Sequence, residues 1–205
     1  MGIVESRVLA PLALAALLCV GGAAAAATVV YEIDPEHTFP SFEADHMGGL
    51  SVWRGKFNRS SGSVALDREA GTGTVDVVVE VASIDFGHDT LNEKALGPDL
   101  FDAAAHPRAT YTGRLEGFVD GKPTRAVGEL TLRGVTRPVT LELQAFKCMP
   151  HPVFAREVCG ADALATIQRD EFGMDAGKDY GFDMAVTLRL QVEAIAKEAQ
   201  APEAP

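Results

Sequence analysis

Thr74–Ser83 reads TVDVVVEVAS, and its period settles the class of fold. Val75, Val77, Val79 and Val81 fall on one face and Asp76 and Glu80 on the other, the two-residue repeat of a strand with one dry side. A strand of a parallel sheet, covered on both sides, would be apolar throughout. The same alternation returns in VTLELQAF, where Val139, Leu141 and Leu143 oppose Thr140, Glu142 and Gln144. In AVTLRLQVEA, Val186, Leu188, Leu190 and Val192 oppose Thr187, Arg189, Gln191 and Glu193.

Turn chemistry separates these runs at short intervals. Asp120-Gly121 is a hairpin signal, and REAGTG and RGVTRP sit between other strand-like runs, so the chain pairs mostly with its sequence neighbours. Eight or so such strands either close into a barrel or split into a sandwich, and closure removes the sheet edges that invite aggregation. One segment breaks the pattern. In HDTLNEKALGPDLFDAAAHP, Thr90 and Glu93 have capping-box spacing, Gly97 suits a helix end, and Pro98 opens a second turn carrying Leu100 and Phe101.

Around this core lie two segments of different character. Arg7 precedes VLAPLALAALLCV, and GGAAAAA then offers the small residues a signal peptidase needs, so residues 1–27 are expected to be an export signal cut near Ala27. The alternative is a retained anchor, since the apolar run from Val8 to Val30 is long enough to span a bilayer. Residues 197–205, containing EAQAPEAP, have no apolar period and are expected to be disordered, leaving 28–196 as one β domain. Export makes the location periplasmic or secreted. It also gives meaning to the two remaining cysteines, Cys148 and Cys159, an even pair that predicts a disulfide in an oxidising compartment.

Charge excludes one class of partner. The 205 residues carry 18 Lys and Arg against 29 Asp and Glu, a net charge of −11, with no basic run to track a phosphate backbone, so no nucleic-acid partner is expected.

The motifs IDPEHTFPSFEADH (Ile33–His46) with GKF (Gly55–Phe57), SIDFGHDTLNEKALGPDLFDAAAHP (Ser83–Pro107), GELTLRGVTRPVTLEL (Gly128–Leu143) and RDEFG (Arg169–Gly173) together resemble the YceI-like family of exported lipid-binding proteins. The resemblance covers nearly the whole chain after the export segment, in order. It implies an all-β fold, an extended eight-stranded antiparallel β-barrel similar to lipocalins with a short helical insertion, whose apolar tunnel holds an isoprenoid chain such as a polyprenyl or quinone tail. It also implies a homodimer, and transient membrane contact is a further expectation. Thr38 stands where Ser is common in the family, and MGGLSVW (Met47–Trp53) is richer in glycine than that connection tends to be, which puts the shape of the mouth in question.

On this reading the candidate tunnel wall comprises Phe39, Phe42, Val79, Val81, Leu130, Leu132, Leu141 and Phe172. Leu91, Leu100 and Phe101 of the insertion cover an opening or complete the core as a fixed plug. His37 and His46 are candidates for a polar mouth. They are nine residues apart, an odd separation that sends two strand residues to opposite faces unless a bulge intervenes, so a shared metal is not expected. A GxSxG elbow and a P-loop lysine are both missing from the sequence, and no catalytic residue or cofactor is expected beyond a bound isoprenoid lipid. The competing readings are a barrel for another amphiphile such as a fatty acid or amide, a filled-core interaction protein, and a lipid-modifying enzyme using His37 and His46.

Overall fold

The computed structural model describes residues 28–198 and, ahead of them, Gly2. Apart from Gly2, the expected export segment lies outside the described residues, as does the expected tail from residue 199 onward. Among the described residues eleven segments pair antiparallel: β1 (Val29–Ile33), β2 (Ser41–His46), β3 (Ser51–Phe57), β4 (Ser60–Asp67), β5 (Thr72–Glu80), β6 (Ile84–Asp85), β7 (Arg108–Glu116), β8 (Arg125–Leu132), β9 (Val135–Pro150), β10 (Glu157–Gln168) and β11 (Ala185–Ala196). The sheet runs β1-β4-β5-β7-β8-β9-β10-β11 and closes through β1 against β11, an eight-stranded barrel in meander order.

The other three segments are continuations. β2 extends β1 beyond the break at residues 34–40, β3 leads into β4, and β5 continues into β6 through the short turn Val81–Ser83. β11 is therefore shared along one edge: Ile195 and Ala194 face β1, and Val186 to Arg189 face β2. Hydroxyls fill the gaps in the ladder at these bends. Thr38 Oγ1 donates to the Glu193 carbonyl at 3.1 Å and accepts from the Glu193 N–H at 3.0 Å, taking the place of the missing strand. Ser60 Oγ donates to the Thr38 carbonyl, and Ser83 Oγ donates to the Glu80 carbonyl while accepting from the Arg59 N–H. Each is buried, where an unpaired backbone group would be costly.

The turns follow the sequence. Asp120 and Gly121 take φ of 50° and 71° between the paired Val119 and Lys122, the geometry of a two-residue hairpin turn, and Arg133-Gly134 does the same between β8 and β9. The helix α1 (Asp89–Leu96) starts earlier than the Thr90/Glu93 spacing predicts. His88 caps it, its Nδ1 accepting the Leu91 N–H, and Asn92 ties the preceding loop by accepting the Phe86 N–H. Lys197 still belongs to the barrel, donating its N–H to the Val30 carbonyl and pairing its ammonium with Glu32.

One core group, Tyr31, Ile33, Leu66, Cys159, Ala194 and Ala196, fills the end where β1 begins and β11 finishes. β9 reaches it through a bulge. The register slips between Asp162 and Ala163, leaving Gln144 unmatched, so Phe146 and Cys148 stay on the inward side with Leu141 and Leu143. Cys148 then lies directly opposite Cys159, and the two form the expected disulfide.

Thr38→Val keeps the shape but orphans the N–H of Glu193, whose carbonyl still accepts from the Asp34 N–H, and should lower the unfolding free energy by about 1–3 kcal/mol in a urea titration. Replacing Cys148 and Cys159 together by Ser should cost about 2–3 kcal/mol in the same assay, the loop-closure value for a bridge this short.

Candidate functional site

Above the filled end the barrel is hollow. A cavity of about 520 Å³ occupies the upper half, within the range that encloses a small ligand or a segment of a long one. Its wall consists of the dry positions of alternating strands: Val75, Val77 and Val79 of β5, Leu130 and Leu132 of β8, Val139 and Leu141 of β9, and Val186, Leu188, Leu190 and Val192 of β11. Val77 and Val192 also touch the lower core and mark the floor.

Aromatic rings shape the upper part. Phe42 and Phe57 stand 5.8 Å apart, and Phe101 of the insertion packs edge-on against Phe57 at 5.6 Å. Phe86 meets Phe42 at 5.5 Å. Room for both rings comes from Gly55, where a Cβ would lie 2.6 Å from the Phe42 ring and 2.9 Å from Phe86. The insertion packs onto this end of the barrel: Ala95 is fully buried, and Arg133 donates to the carbonyls of both Leu100 and Gly173. At the rim the His46 ring sits between Trp53 and Phe182, 5.4 and 5.3 Å away.

Three polar groups on this wall, those of Tyr111, Arg169 and Asp45, are turned to the protein's own backbone. The Tyr111 hydroxyl is in reach of the carbonyls of Ala126 and Val139, both at 3.0 Å, and burial pushes its pKa up to about 12, so it stays protonated. Arg169 donates to the carbonyls of Met174 and Ala176, and burial pulls its guanidinium below the usual value against the opposing charges of Asp170, Asp175 and Asp45. The Asp45 carboxylate accepts from the backbone N–H groups of Asp183, Gly48 and Gly49, which hold it below the ordinary range against desolvation. Most of what is left facing the cavity is apolar and suited to hydrocarbon, with Lys94, Thr110, Tyr180 and the His46 ring also on its lining.

The structure puts Phe42, Val79, Leu91, Leu100, Phe101, Leu130, Leu132 and Leu141 on the cavity surface, and three candidates elsewhere. Phe39 lies in the break between β1 and β2, under the Lys56 ammonium at 4.9 Å. Val81 leaves the strand for the turn after β5, and Phe172 belongs to the short helical turn Arg169–Phe172; both are fully buried among core side chains. The two histidines are also separated. His46 lines the cavity, but His37 is exposed in the break, its Nδ1 2.8 Å from Asp34 and its carbonyl accepting from Gln191. His37 is therefore no part of the mouth. The β11 face, Trp53 and Phe182 complete the site; β11's alternation was visible in the sequence, whereas nothing local marked Phe182. Cys148, Cys159 and Glu157 also cluster, but the two sulfurs are bonded to each other and offer no thiolate.

Comparison with known proteins agrees with this architecture. The family model for the YceI-like domain matches residues 31–194. A UPF0312 protein of Pseudomonas aeruginosa is 30% identical over 192 residues, covering 92% of this chain and 97% of its own, and one of Yersinia pestis is 33% identical over 138 residues, 67% and 71%. Among solved structures, Burkholderia cenocepacia BcnA aligns with a TM-score of 0.63 at 22% identity over 79% of this chain and 99% of its own. A polyisoprenoid binding domain from Saccharophagus degradans aligns with a TM-score of 0.59 at 17% identity over 82% and 99%.

The hydrogen bond to Asp34, together with its charge, raises the His37 pKa. Because the folded value lies above the unfolded one near 6.5, the stabilisation is complete below about pH 6.5 and is lost as pH rises through the folded value. In an NMR titration Asp34→Asn should bring the His37 midpoint down towards 6.5; an unchanged midpoint would show that the pair does not form in solution.

Proposed function

Since the chain belongs to the YceI-like family, and its barrel is hollow, we propose that it is an exported carrier that holds the apolar tail of an isoprenoid-type lipid, polyprenyl or quinone, without covalent attachment. The observation that carries this reading is the cavity of about 520 Å³, lined mostly by apolar side chains and with Tyr111, Arg169 and Asp45 of its polar lining already engaged by backbone. Such a wall offers mainly van der Waals contact, which supports binding over turnover. The aligned domain from Saccharophagus degradans is described as polyisoprenoid binding, which supports the same ligand class here.

Magnitudes favour a carrier over a trap. Each buried methylene is worth about 0.8 kcal/mol, so a stretch of about twenty carbons nominally gains roughly 16 kcal/mol against water. The tail comes from a membrane or micelle where it is already dry, and ordering it offsets more, so the net transfer energy is small and the exchange reversible. The setting we propose is the periplasm or the exterior: residues 1–27 read as an export signal, and the Cys148–Cys159 bridge suits an oxidising compartment.

Mass spectrometry of an organic extract of the purified protein tests this, with the expectation of a long-chain isoprenoid in near-stoichiometric amount. Leu130→Trp with Leu190→Trp narrows the cavity from opposite walls and should reduce uptake of added polyprenyl lipid by about tenfold, with melting followed in parallel to show that the barrel still forms. A recurrent fatty acid or amide in the extract would move the assignment to that amphiphile. A protein that stays empty and ignores added polyprenyl and quinone lipids would end the carrier reading.

A further inference from the structure

The β2–β3 hairpin is unusual in what it shows to solvent. Leu50 is 73% exposed, Met47 56% and Val52 50%, all within the six residues Met47-Gly48-Gly49-Leu50-Ser51-Val52. Nearby, Tyr180 is 84% exposed and also borders the cavity. The two stretches are joined. Asp45 accepts the Asp183 N–H, and Gly48 comes so close to the Gly181 carbonyl that an added Cβ would lie 3.1 Å from it, at a φ of 63° that already favours glycine.

This apolar lip is continuous with the site. Trp53 and His46 on the same hairpin line the cavity, so the outward Leu50 and Val52 sit on the same short stretch of chain as the inward Trp53 at the rim. The hairpin part of the lip is also free of charge, whereas Tyr180 is flanked by exposed Asp179 and by Lys178, which pairs with Asp170 at 2.6 Å. Between Asp45 and Arg54 no acid or base occurs except His46, whose ring is enclosed by Trp53 and Phe182. Asp45 is engaged by three amides, and Arg54 pairs at 2.9 Å with Glu43, a carboxylate it shares with Arg189. The opposite end differs: its exposed Met149, Val153 and Phe154 stand among Lys147, Arg156 and Glu157 and open on the filled core, away from the cavity.

We propose that the Met47–Val52 hairpin, with Tyr180, is the surface that docks on a phospholipid bilayer and through which the cargo passes, an inference that rests on the carrier reading. An exposed apolar patch rimmed by polar residues marks a contact site, and uncharged hairpin residues can enter the headgroup layer without desolvating an ion. Trp53 and Tyr180 are residue types favoured at that depth. A tail leaving the bilayer beneath the lip meets apolar surface all the way and never crosses water. With a net charge of −11 the protein suits zwitterionic lipid better than anionic lipid.

The test uses the exported protein and pyrene-labelled geranylgeraniol, offered in phosphatidylcholine vesicles or in octyl glucoside micelles. Leu50→Glu with Val52→Glu should slow uptake from vesicles about tenfold and leave loading from micelles within about twofold, since neither side chain lines the cavity. Phe154→Glu, at the other end, should change neither. Adding phosphatidylglycerol to the vesicles should slow the wild type. If the wild type loads from micelles but its vesicle rate ignores the lip substitutions, the lip is overturned and the carrier stands. A wild type that loads from neither source overturns the carrier reading itself. Should sedimentation show a dimer that the Leu50/Val52 variant abolishes while the vesicle rate is unchanged, the lip is an interface between copies and the bilayer assignment is overturned.

Discussion

The last strand, β11, has to be paired along its whole outer edge by a segment that bends away halfway, and the rest of the barrel depends on how that is managed. β1 covers one end of the edge and β2 the other. Between them the Thr38 hydroxyl holds both the N–H and the carbonyl of Glu193 from a position with no exposure to solvent. A solid core could absorb a break of this kind by packing over it. A hollow barrel has fewer contacts to spare, so each backbone group at the seam needs its own partner.

The hollow persists because the two ends are treated differently. At one end the bulge at Gln144 keeps Phe146 and Cys148 turned inward with Tyr31, Ile33 and Leu66, and the disulfide links the two strands of the β9–β10 hairpin at that filled end. At the other end the chain spends its large aromatic residues on the rim and on the insertion, where Phe101 leans on Phe57. The walls between are mostly Val and Leu, side chains that reach inward but do not meet across the middle. Apolar space too well lined to attract water and too large to close is what a hydrocarbon tail would fill.

Much of this was readable along the chain. The alternation in β5, β9 and β11, the turn at Asp120-Gly121, the helix before Gly97 and the cysteine pair are local signals, and each corresponds to an element of the structure. The failures share a cause. Val81 continues the period of β5, but the strand has already ended in a helical turn; Phe172 is apolar and near the mouth, but its turn directs it into the core. His37 and His46 look equivalent in sequence, and only the break at residues 34–40 sends one to Asp34 on the surface and the other into the cavity.

By itself the amino-acid sequence determined which residues turn away from water, where the chain reverses, which cysteines pair and which family the chain resembles, because these depend on neighbours a few residues apart. It left undecided whether an inward side chain meets another side chain or empty space. That depends on the stagger of eight strands around the closure, on the bulge that fills one end and on loops far apart in sequence, such as those carrying Gly48 and Gly181, coming together at the other. These are long-range distances, and only the tertiary structure decides them.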